Sequence, residues 1–299
     1  MNNEDKVLLI INPKAGKKKP MSTLTDILDV FGRHGIKVTS MSTTGPGDAQ
    51  RFTAERAGEF DAVVCCGGDG TLNEVITGLM SSSLSVPIGY IPMGTANDFA
   101  KGLGLSSDPI KAVEDVIKGK PVPHDIGSFN GDIYFSYVAS FGTMSDISYL
   151  TSQKMKNMLG HSAYLLKAAP YFFRMKPYHV KVEFEDKVFE DEFLLGGTAN
   201  SKSVAGMVKL KDKTISLDDG IFELIFFRKP RNLSGVANII RWLLTQNPNN
   251  PSVIFEKAES ALLTCKEYVP WTVDGEFAGL HNKIELKAHY HAISFIRPV

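Results

Sequence analysis

A short apolar strand that runs through a glycine-rich turn straight into a helix is the feature that most limits what this chain can fold into. Val63 and Val64 lead through Cys65-Cys66 into Gly67-Gly68-Asp69-Gly70, and Thr71 to Met80 then reads as a helix. The apolar run marks a buried strand. The glycines free the backbone to turn sharply and to approach a ligand closely. The first N–H groups of the helix would point at an anion such as a phosphate. Two bare anions repel, so Asp69 can act there only through a metal, a water or a proton transfer. Taken alone, the segment also fits an ordinary tight strand-to-helix turn.

The same grammar fills the first third of the chain. Val7 to Asn12 reads as a strand. Met21 to His34 reads as a helix with Leu24, Ile27, Leu28 and Phe31 on one face, stopped by Gly35. Ile36 to Thr43 returns as a strand, Asp48 caps a helix to about Phe60, and Ala62 to Cys66 and Val86 to Ile91 are the next two strands. Such alternation implies a parallel sheet covered by helices on both faces, with ligands bound beyond the carboxyl ends of the strands. One more helix starts at Asp108-Pro109 and ends near Gly119.

After Lys120-Pro121-Val122-Pro123 strands dominate. Ile133 to Phe141, Tyr178 to Phe184, Val188 to Leu195, Ile221 to Phe227, Val253 to Cys265, Trp271 to Val273 and Lys283 to Ile296 all read as strands, with hairpin signals such as Asn130-Gly131. The expectation is a mostly antiparallel sandwich with two helical inserts, roughly Ser152 to Met175 and Asn232 to Gln246. The boundary falls near Pro121 to Asp125, giving domains over residues 1–123 and 124–299, the last strand being a candidate to return to the first.

With 299 residues the chain can hold two cores. Lys+Arg and Asp+Glu both number 33, so overall charge gives no argument for nucleic acid. The run Val7 to Ile11 is too short for a signal peptide or a membrane span, which points to the cytoplasm. Three cysteines form neither a disulfide framework nor a metal site.

Three further segments join the opening motif. Asn12-Pro13-Lys14-Ala15-Gly16 follows the first strand and can offer N–H groups to phosphates. Pro92-Met93-Gly94-Thr95-Ala96-Asn97-Asp98 repeats the logic of strand end, glycine turn and helix start. In Asp274-Gly275-Glu276, after Trp271-Thr272-Val273, two acids flank a glycine in the strand-rich half. In this order and at these separations, the motifs resemble those of the diacylglycerol kinase catalytic-domain family, which includes bacterial lipid kinases and is related to the sphingosine kinases. The resemblance spans nearly the whole chain.

It implies an α/β ATP-binding domain like that of phosphofructokinases and NAD kinases, followed by a β-sandwich that takes the lipid, with the active site in the cleft between them. Carried over, the nucleotide contacts fall on Asn12, Pro13, Lys14, Ala15, Gly16, Thr43, Gly68, Asp69, Gly70, Thr71, Leu72, Asn73, Glu74, Thr95 and Asp98. Asp69 would sit by the catalytic metal and phosphates. Glu276 would be the general base that takes the proton from the lipid hydroxyl as its oxygen attacks the γ-phosphorus. ATP and Mg²⁺ are the implied cofactors, a hard cation among oxygen ligands. A structural metal loop matches Ser216-Leu217-Asp218-Asp219-Gly220-Ile221, with Ser216, Asp219 and Ile221 as ligands. Asp218 is an equally good donor by chemistry, and an ordinary turn also fits. Ser203 to Met207 departs from the family's glycine-rich stretch.

The implied reaction converts diacylglycerol to phosphatidic acid. Phosphatidylglycerol, monoacylglycerol and sphingoid bases are alternative acceptors, and NAD is a soluble one against which the second and third motifs argue. A non-catalytic nucleotide or lipid sensor is the reading of a different class, and it has no need of Asp69 and Glu276. The helix bearing Met155, Tyr164, Tyr171 and Phe173 among Lys154, Lys156, Lys167 and Arg174 fits either a core or a peripheral membrane contact. His124-Asp125 reads as a hinge pair, His289 and His291 as surface residues. Edge strands of the sandwich offer a surface for a homodimer.

Overall fold

Val7 to Ile11 is apolar at every position because the strand it forms, β1 (Lys6–Ile11), is covered on both faces. The computed structural model describes residues 1, 4–16, 21–95, 97–142, 169–200, 203–204, 208–209 and 216–298. The chain divides into two units, one of Met1–Ile126 with His289–Val299, the other of Gly127–Ala288.

In the first unit β1 pairs in parallel with β2 (Lys37–Ser42) on one side and β3 (Ala62–Gly67) on the other, and β4 (Ile88–Pro92) lies beyond β3. The order β2-β1-β3-β4 changes direction between β1 and β3, and the loops leaving those two strands open a crevice at their carboxyl ends. Helices α1 (Met21–Arg33) and α5 (Pro109–Lys118) bury Ile27, Phe31, Val113 and Val116 against Val7, Leu9, Val64 and Cys66. Helices α2 (Asp48–Arg56) and α3 (Asp69–Ser82) bury Phe52, Val75, Ile76 and Leu79. Asp108 caps α5 by accepting the Lys111 N–H at 2.9 Å, with Pro109 in the first turn. Helix α4 (Asp98–Leu103) is short and stops at Gly104 in the left-handed region. The C-terminal end of the chain adds Phe295 beside Ile88, again in parallel.

In the second unit every described pairing is antiparallel. Its strands are the inner part of β5 (Lys120–Phe129), β6 (Ile133–Phe135), β7 (Val138–Phe141), β8 (Tyr178–Phe184), β9 (Lys187–Ala199), the short pair β10 (Ser203–Val204) and β11 (Val208–Lys209), β12 (Phe222–Arg228), β13 (Val253–Ala258), β14 (Ser260–Val273) and the first part of β15 (Glu276–Arg297). Long strands serve two neighbours each. The first half of β9 pairs with β8 and its end with β7, while β14 pairs with β8 early and with β7 late. These pairings close a ring around Phe135, Phe141, Phe193, Phe226 and Trp271. Helix α6 (Leu233–Thr245) packs Val236, Ile239 and Trp242 on the other face of β9 and β12, against Leu195, Ile225 and Phe227. Its cap is Asn232, which accepts the Gly235 N–H at 2.9 Å, and Gln246 ends it in the left-handed region.

Several sequence expectations are regrouped. Asp48 is the first residue of α2 rather than its cap, which is Gly47 at φ 83°, and a 3-10 turn at Ala57–Glu59 replaces the last turn expected before Phe60. Ile133 to Phe141 is two strands, because Ser136 and Tyr137 turn to bind Asp274. Val253 to Cys265 breaks after Ala258, and Trp271 to Val273 completes β14. Lys120 to Phe129 is a strand with its two prolines exposed near its start. His124 lies inside that strand, buried edge-on between Phe99 and Phe295, and Asp125 accepts the His291 N–H at 2.7 Å. Residues 169–174 are helical, with Phe172 in the core and Tyr171 and Phe173 exposed; the helix ends before Met175, and the part expected over 152–168 lies outside the described residues.

Gly89 of β4 tests the packing of α5 on the first sheet. A Cβ there would lie 2.8 Å from Cγ1 of Val116 and 3.1 Å from Cγ2 of Val64. Gly89→Ala is expected to lower stability by about 1–3 kcal/mol, the usual cost of overpacking a closed core. Urea unfolding measures it, and an unchanged midpoint would show that α5 shifts freely.

Candidate active site

Four successive strands of the first unit end at one cavity of about 340 Å³. Asn12, Lys14 and Ala15 line it from the loop after β1, and Thr43, Thr44, Gly45 and Pro46 from the loop after β2. Gly68, Gly70, Thr71 and Glu74 line it from the turn into α3, and Gly94 from the loop after β4. Backbone bonds carry the sheet into these loops: Asn12 N–H to Cys66 at 2.9 Å, Thr43 N–H to Ile11 at 2.8 Å and Met93 N–H to Gly67 at 2.7 Å.

The glycine turns are packed backbone to backbone. A Cβ on Gly94 would stand 2.8 Å from Cα of Gly68 and 2.7 Å from Oδ1 of Asn97. One on Gly16, which has φ +74°, would stand 2.2 Å from the Met93 carbonyl oxygen, and one on Gly67 2.7 Å from Cβ of Thr71. Gly70 differs, since a Cβ there would meet nothing within 4 Å. Its smallness serves open space at the cavity rather than a protein neighbour.

Side chains fix the loops that the glycines allow. Asn12 donates to the Thr71 hydroxyl at 2.9 Å and accepts the Lys14 N–H at 3.0 Å. Asp48 accepts the Thr44 N–H at 2.8 Å, the Thr44 hydroxyl at 2.7 Å and the Gly45 N–H at 3.2 Å. Those bonds, with the one from Arg51, hold its carboxyl well below the usual carboxylate range. Glu74 reaches from α3 to accept the N–H groups of Gly47 at 2.9 Å and Ala49 at 3.0 Å, the free donors at the start of α2. Asn97, left-handed at φ 48°, donates to the Gly94 carbonyl at 2.9 Å and starts α4.

Asp69 opens α3 and accepts the Phe99 N–H at 3.4 Å, so it joins the starts of α3 and α4. Burial, then the neighbouring Cys65 and Asp69, push the Tyr90 hydroxyl far above its ordinary value, so it stays protonated. Burial likewise pushes the Cys65 thiol up, which leaves it inert.

The cavity lining therefore includes Asn12, Lys14, Ala15, Thr43, Gly68, Gly70, Thr71 and Glu74 among the residues singled out from the sequence. Pro13 is exposed, Gly16 is pinned under Met93, Leu72 is buried in the core, Asn73 is half-buried and Thr95 is exposed. Asp98 begins α4, and its side chain lies outside the described residues. Thr44, Gly45 and Pro46 at the cavity, and Asp48 behind them, are new. Their signal was the turn composition of Gly45-Pro46-Gly47-Asp48 after a strand. Ser216 donates to Asp218, and Asp219 accepts the Ile221 N–H at 3.2 Å, closing the turn before β12.

In the second unit the hairpin between β14 and β15 carries the remaining acids. Asp274, at φ 48°, turns back under β6 and β7 and accepts the Ser136 N–H at 2.7 Å, the Ser136 hydroxyl at 2.9 Å, the Tyr137 N–H at 3.1 Å and the Val138 N–H at 3.0 Å. The Tyr137 hydroxyl returns a bond to the Asp274 carbonyl at 2.7 Å. Burial outweighs the bonds and pushes this carboxyl above its ordinary value. Glu276, two residues on, is exposed as the first residue of β15.

Asp274 is thus a tie for the hairpin that presents Glu276. Asp274→Asn turns an amide NH₂ toward groups that can only donate or prefer to, and stability is expected to drop by about 1–3 kcal/mol. Thermal unfolding reads it; an unchanged midpoint would mean that the bonds to Ser136, Tyr137 and Val138 do not hold the hairpin.

The family model for the diacylglycerol kinase catalytic domain matches residues 6–129. A diacylglycerol kinase of Bacillus subtilis (strain 168) is 34% identical over 289 residues, covering 95% of this chain and 95% of that one. One of Staphylococcus carnosus (strain TM300) is 36% identical over 286 residues, covering 94% of this chain and 92% of its own. A crystal structure of a diacylglycerol kinase from Bacillus anthracis str. Sterne has the same fold, with a TM-score of 0.75 over 98% of this chain and 97% of that one at 23% identity. Similarity that runs through both units, and not only through the glycine turns, means that the chain belongs to the diacylglycerol kinase family of ATP-dependent lipid kinases.

Proposed function

We propose that this enzyme transfers the γ-phosphate of ATP to the hydroxyl of diacylglycerol, yielding phosphatidic acid and ADP, with Glu276 as general base. The observation that carries this reading is the cavity at four strand ends, where Gly68, Gly70 and Gly94 bare their backbone beside the first turn of α3. An anion there meets N–H groups and the positive end of a helix dipole. Asn12 and Thr71, bonded to each other, and Lys14, bonded to the Thr44 carbonyl at 3.4 Å, supply polar contacts at the same wall.

Phosphoryl transfer asks mainly for alignment and charge neutralisation. In the proposed step the lipid oxygen forms a bond to the γ-phosphorus, the bond to the bridging β–γ oxygen breaks, and the lipid hydroxyl proton passes to the Glu276 carboxylate. Glu276 suits that role because, unlike Asp274 beside it, it stays exposed at the mouth of a hairpin fixed by its neighbour. Mg²⁺ would be held by Asp69 with phosphate oxygens and water, and supplies neutralisation of phosphate charge. The Asp219 carboxylate with the Ser216 and Ile221 carbonyls would offer a second set of hard oxygen donors to a structural cation. The enzyme acts peripherally in this reading: no described helix is long and apolar enough to cross a membrane, while the acceptor resides in one.

Glu276→Gln is expected to reduce kcat by about 10²–10⁴-fold with the KM for ATP nearly unchanged. Steady-state assay with diacylglycerol vesicles and labelled ATP measures both, and a variant of normal kcat would remove Glu276 from the role of base. Gly70→Ala separates binding from folding. Alanine is favoured over glycine in a helix by up to about 1 kcal/mol and meets no protein atom here, so the melting temperature should hold or rise. The KM for ATP should rise at least tenfold, and an unchanged KM would place the phosphates elsewhere.

A further inference from the structure

The outward face of the β14–β15 hairpin carries three exposed large apolar side chains, and none of the described pairings or core clusters covers them. Along β14 the side chains of Val269, Trp271 and Val273 point into the core, so Tyr268, Pro270 and Thr272 point out. Register places Phe277 of β15 opposite Thr272, and Leu280 opposite Pro270. Tyr268, Phe277 and Leu280 are 66%, 68% and 57% exposed; such residues signify a contact only when they lie together. Phe277 and Leu280 share the outward face through their partners Thr272 and Pro270, and Tyr268, two residues before Pro270 on β14, has the same outward parity.

Charge is arranged around that patch. On the same outward parity, farther from the hairpin turn, stand Lys266 and Lys283, the latter opposite Thr264; both are exposed. Neither takes part in an ion pair among the described residues, whereas Glu267, on the inward parity, is tied to Lys176 at 2.9 Å. Glu190, whose carboxyl also feels Lys266, is bound to His179 at 2.8 Å. An apolar tip backed by two cations is the arrangement that enters the acyl boundary of a bilayer while its lysines reach anionic head groups.

We propose that this face, Tyr268, Phe277 and Leu280 with Lys266 and Lys283, is the surface by which the enzyme docks on an anionic lipid bilayer. The proposal rests on the reading of the acceptor as a lipid, and it puts the bilayer contact on the hairpin that carries Glu276. A lipid hydroxyl then need not leave the membrane fully to meet the base. The apolar tip gives the depth of contact and the lysines give preference for anionic lipid.

The test uses the full chain and vesicles of phosphatidylglycerol and phosphatidylcholine, with neither diacylglycerol nor ATP present. Both native tryptophans, Trp242 and Trp271, are buried, so Leu280→Trp places one reporter at the patch. Its emission should shift to the blue on adding vesicles. Tyr268→Ser/Leu280→Ser should lower vesicle partitioning at least tenfold at an unchanged melting temperature. Lys266→Gln/Lys283→Gln should weaken binding to phosphatidylglycerol vesicles several-fold and leave binding to pure phosphatidylcholine as it was. Absence of the shift, or serine and glutamine variants that partition like the unaltered enzyme, would overturn the proposal. A blue shift that depends on protein concentration without vesicles would overturn it too, assigning the face to a second copy of the chain. Because partitioning is read without turnover, a failure of Glu276 as base and a failure of this docking face are separate results.

Discussion

The contact on which the cavity of the first unit depends is backbone against backbone. Gly68 and Gly94 approach so closely that a single methyl on Gly94 would lie 2.8 Å from the opposing Cα, and Gly16 lies under the Met93 carbonyl oxygen. Strands of a parallel sheet are about 4.8 Å apart, and loops with side chains would spread beyond their ends. Glycines let the turns after β1, β3 and β4 stay as close as the strands that feed them. The N–H groups of α3 are thereby left facing a cavity instead of a wall of side chains. Gly67 extends the rule inward, since its neighbour is the first turn of the same helix.

Once the turns are that close, carboxylates decide where the flanking loops rest. Asp48 gathers Thr44 and Gly45, Glu74 gathers the start of α2, and Asp69 takes an N–H at the start of α4. Each puts a negative charge on main-chain donors that a helix start or tight turn leaves without partners. The second unit applies the same device once more, with Asp274 collecting three N–H groups and a hydroxyl from residues 136 to 138. Charged groups used this way lower the cost of an irregular loop and fix the position of its neighbours.

What the sequence disclosed follows from range. Strand and helix periodicity, the stop at Gly35 and the helix over Asn232 to Gln246 depend on residues a few positions apart, and they are where the pattern puts them. The glycine turns were legible too, because their composition is local. Longer links were not. Glu74 reads as one more polar residue in a motif, yet its partners lie 27 and 25 residues earlier. Asp274 looked like half of an acid pair, and only its bonds across 136 to 138 residues of chain show it as the tie of a hairpin. The division of Ile133 to Phe141 has the same origin, since the bend at Ser136 exists for Asp274. Strand β5 was hidden by Pro121 and Pro123, whose missing N–H groups matter little where the strand begins exposed.

The acids of the two motif regions therefore separate by what surrounds them, not by residue type. Asp48, Glu74 and Asp274 have their oxygens occupied by donors of the chain itself, and a carboxylate so engaged is a poor acceptor for a substrate proton. Glu276 differs from Asp274 by two positions and one methylene, yet it stands exposed where the hairpin turns back into β15. Glycines divide likewise: Gly16, Gly67 and Gly94 answer to protein atoms, whereas Gly70 answers to space. In both residue classes one member, Glu276 and Gly70, lacks the structural tie that holds the others. That distinction lies in what surrounds each atom, which a motif does not record.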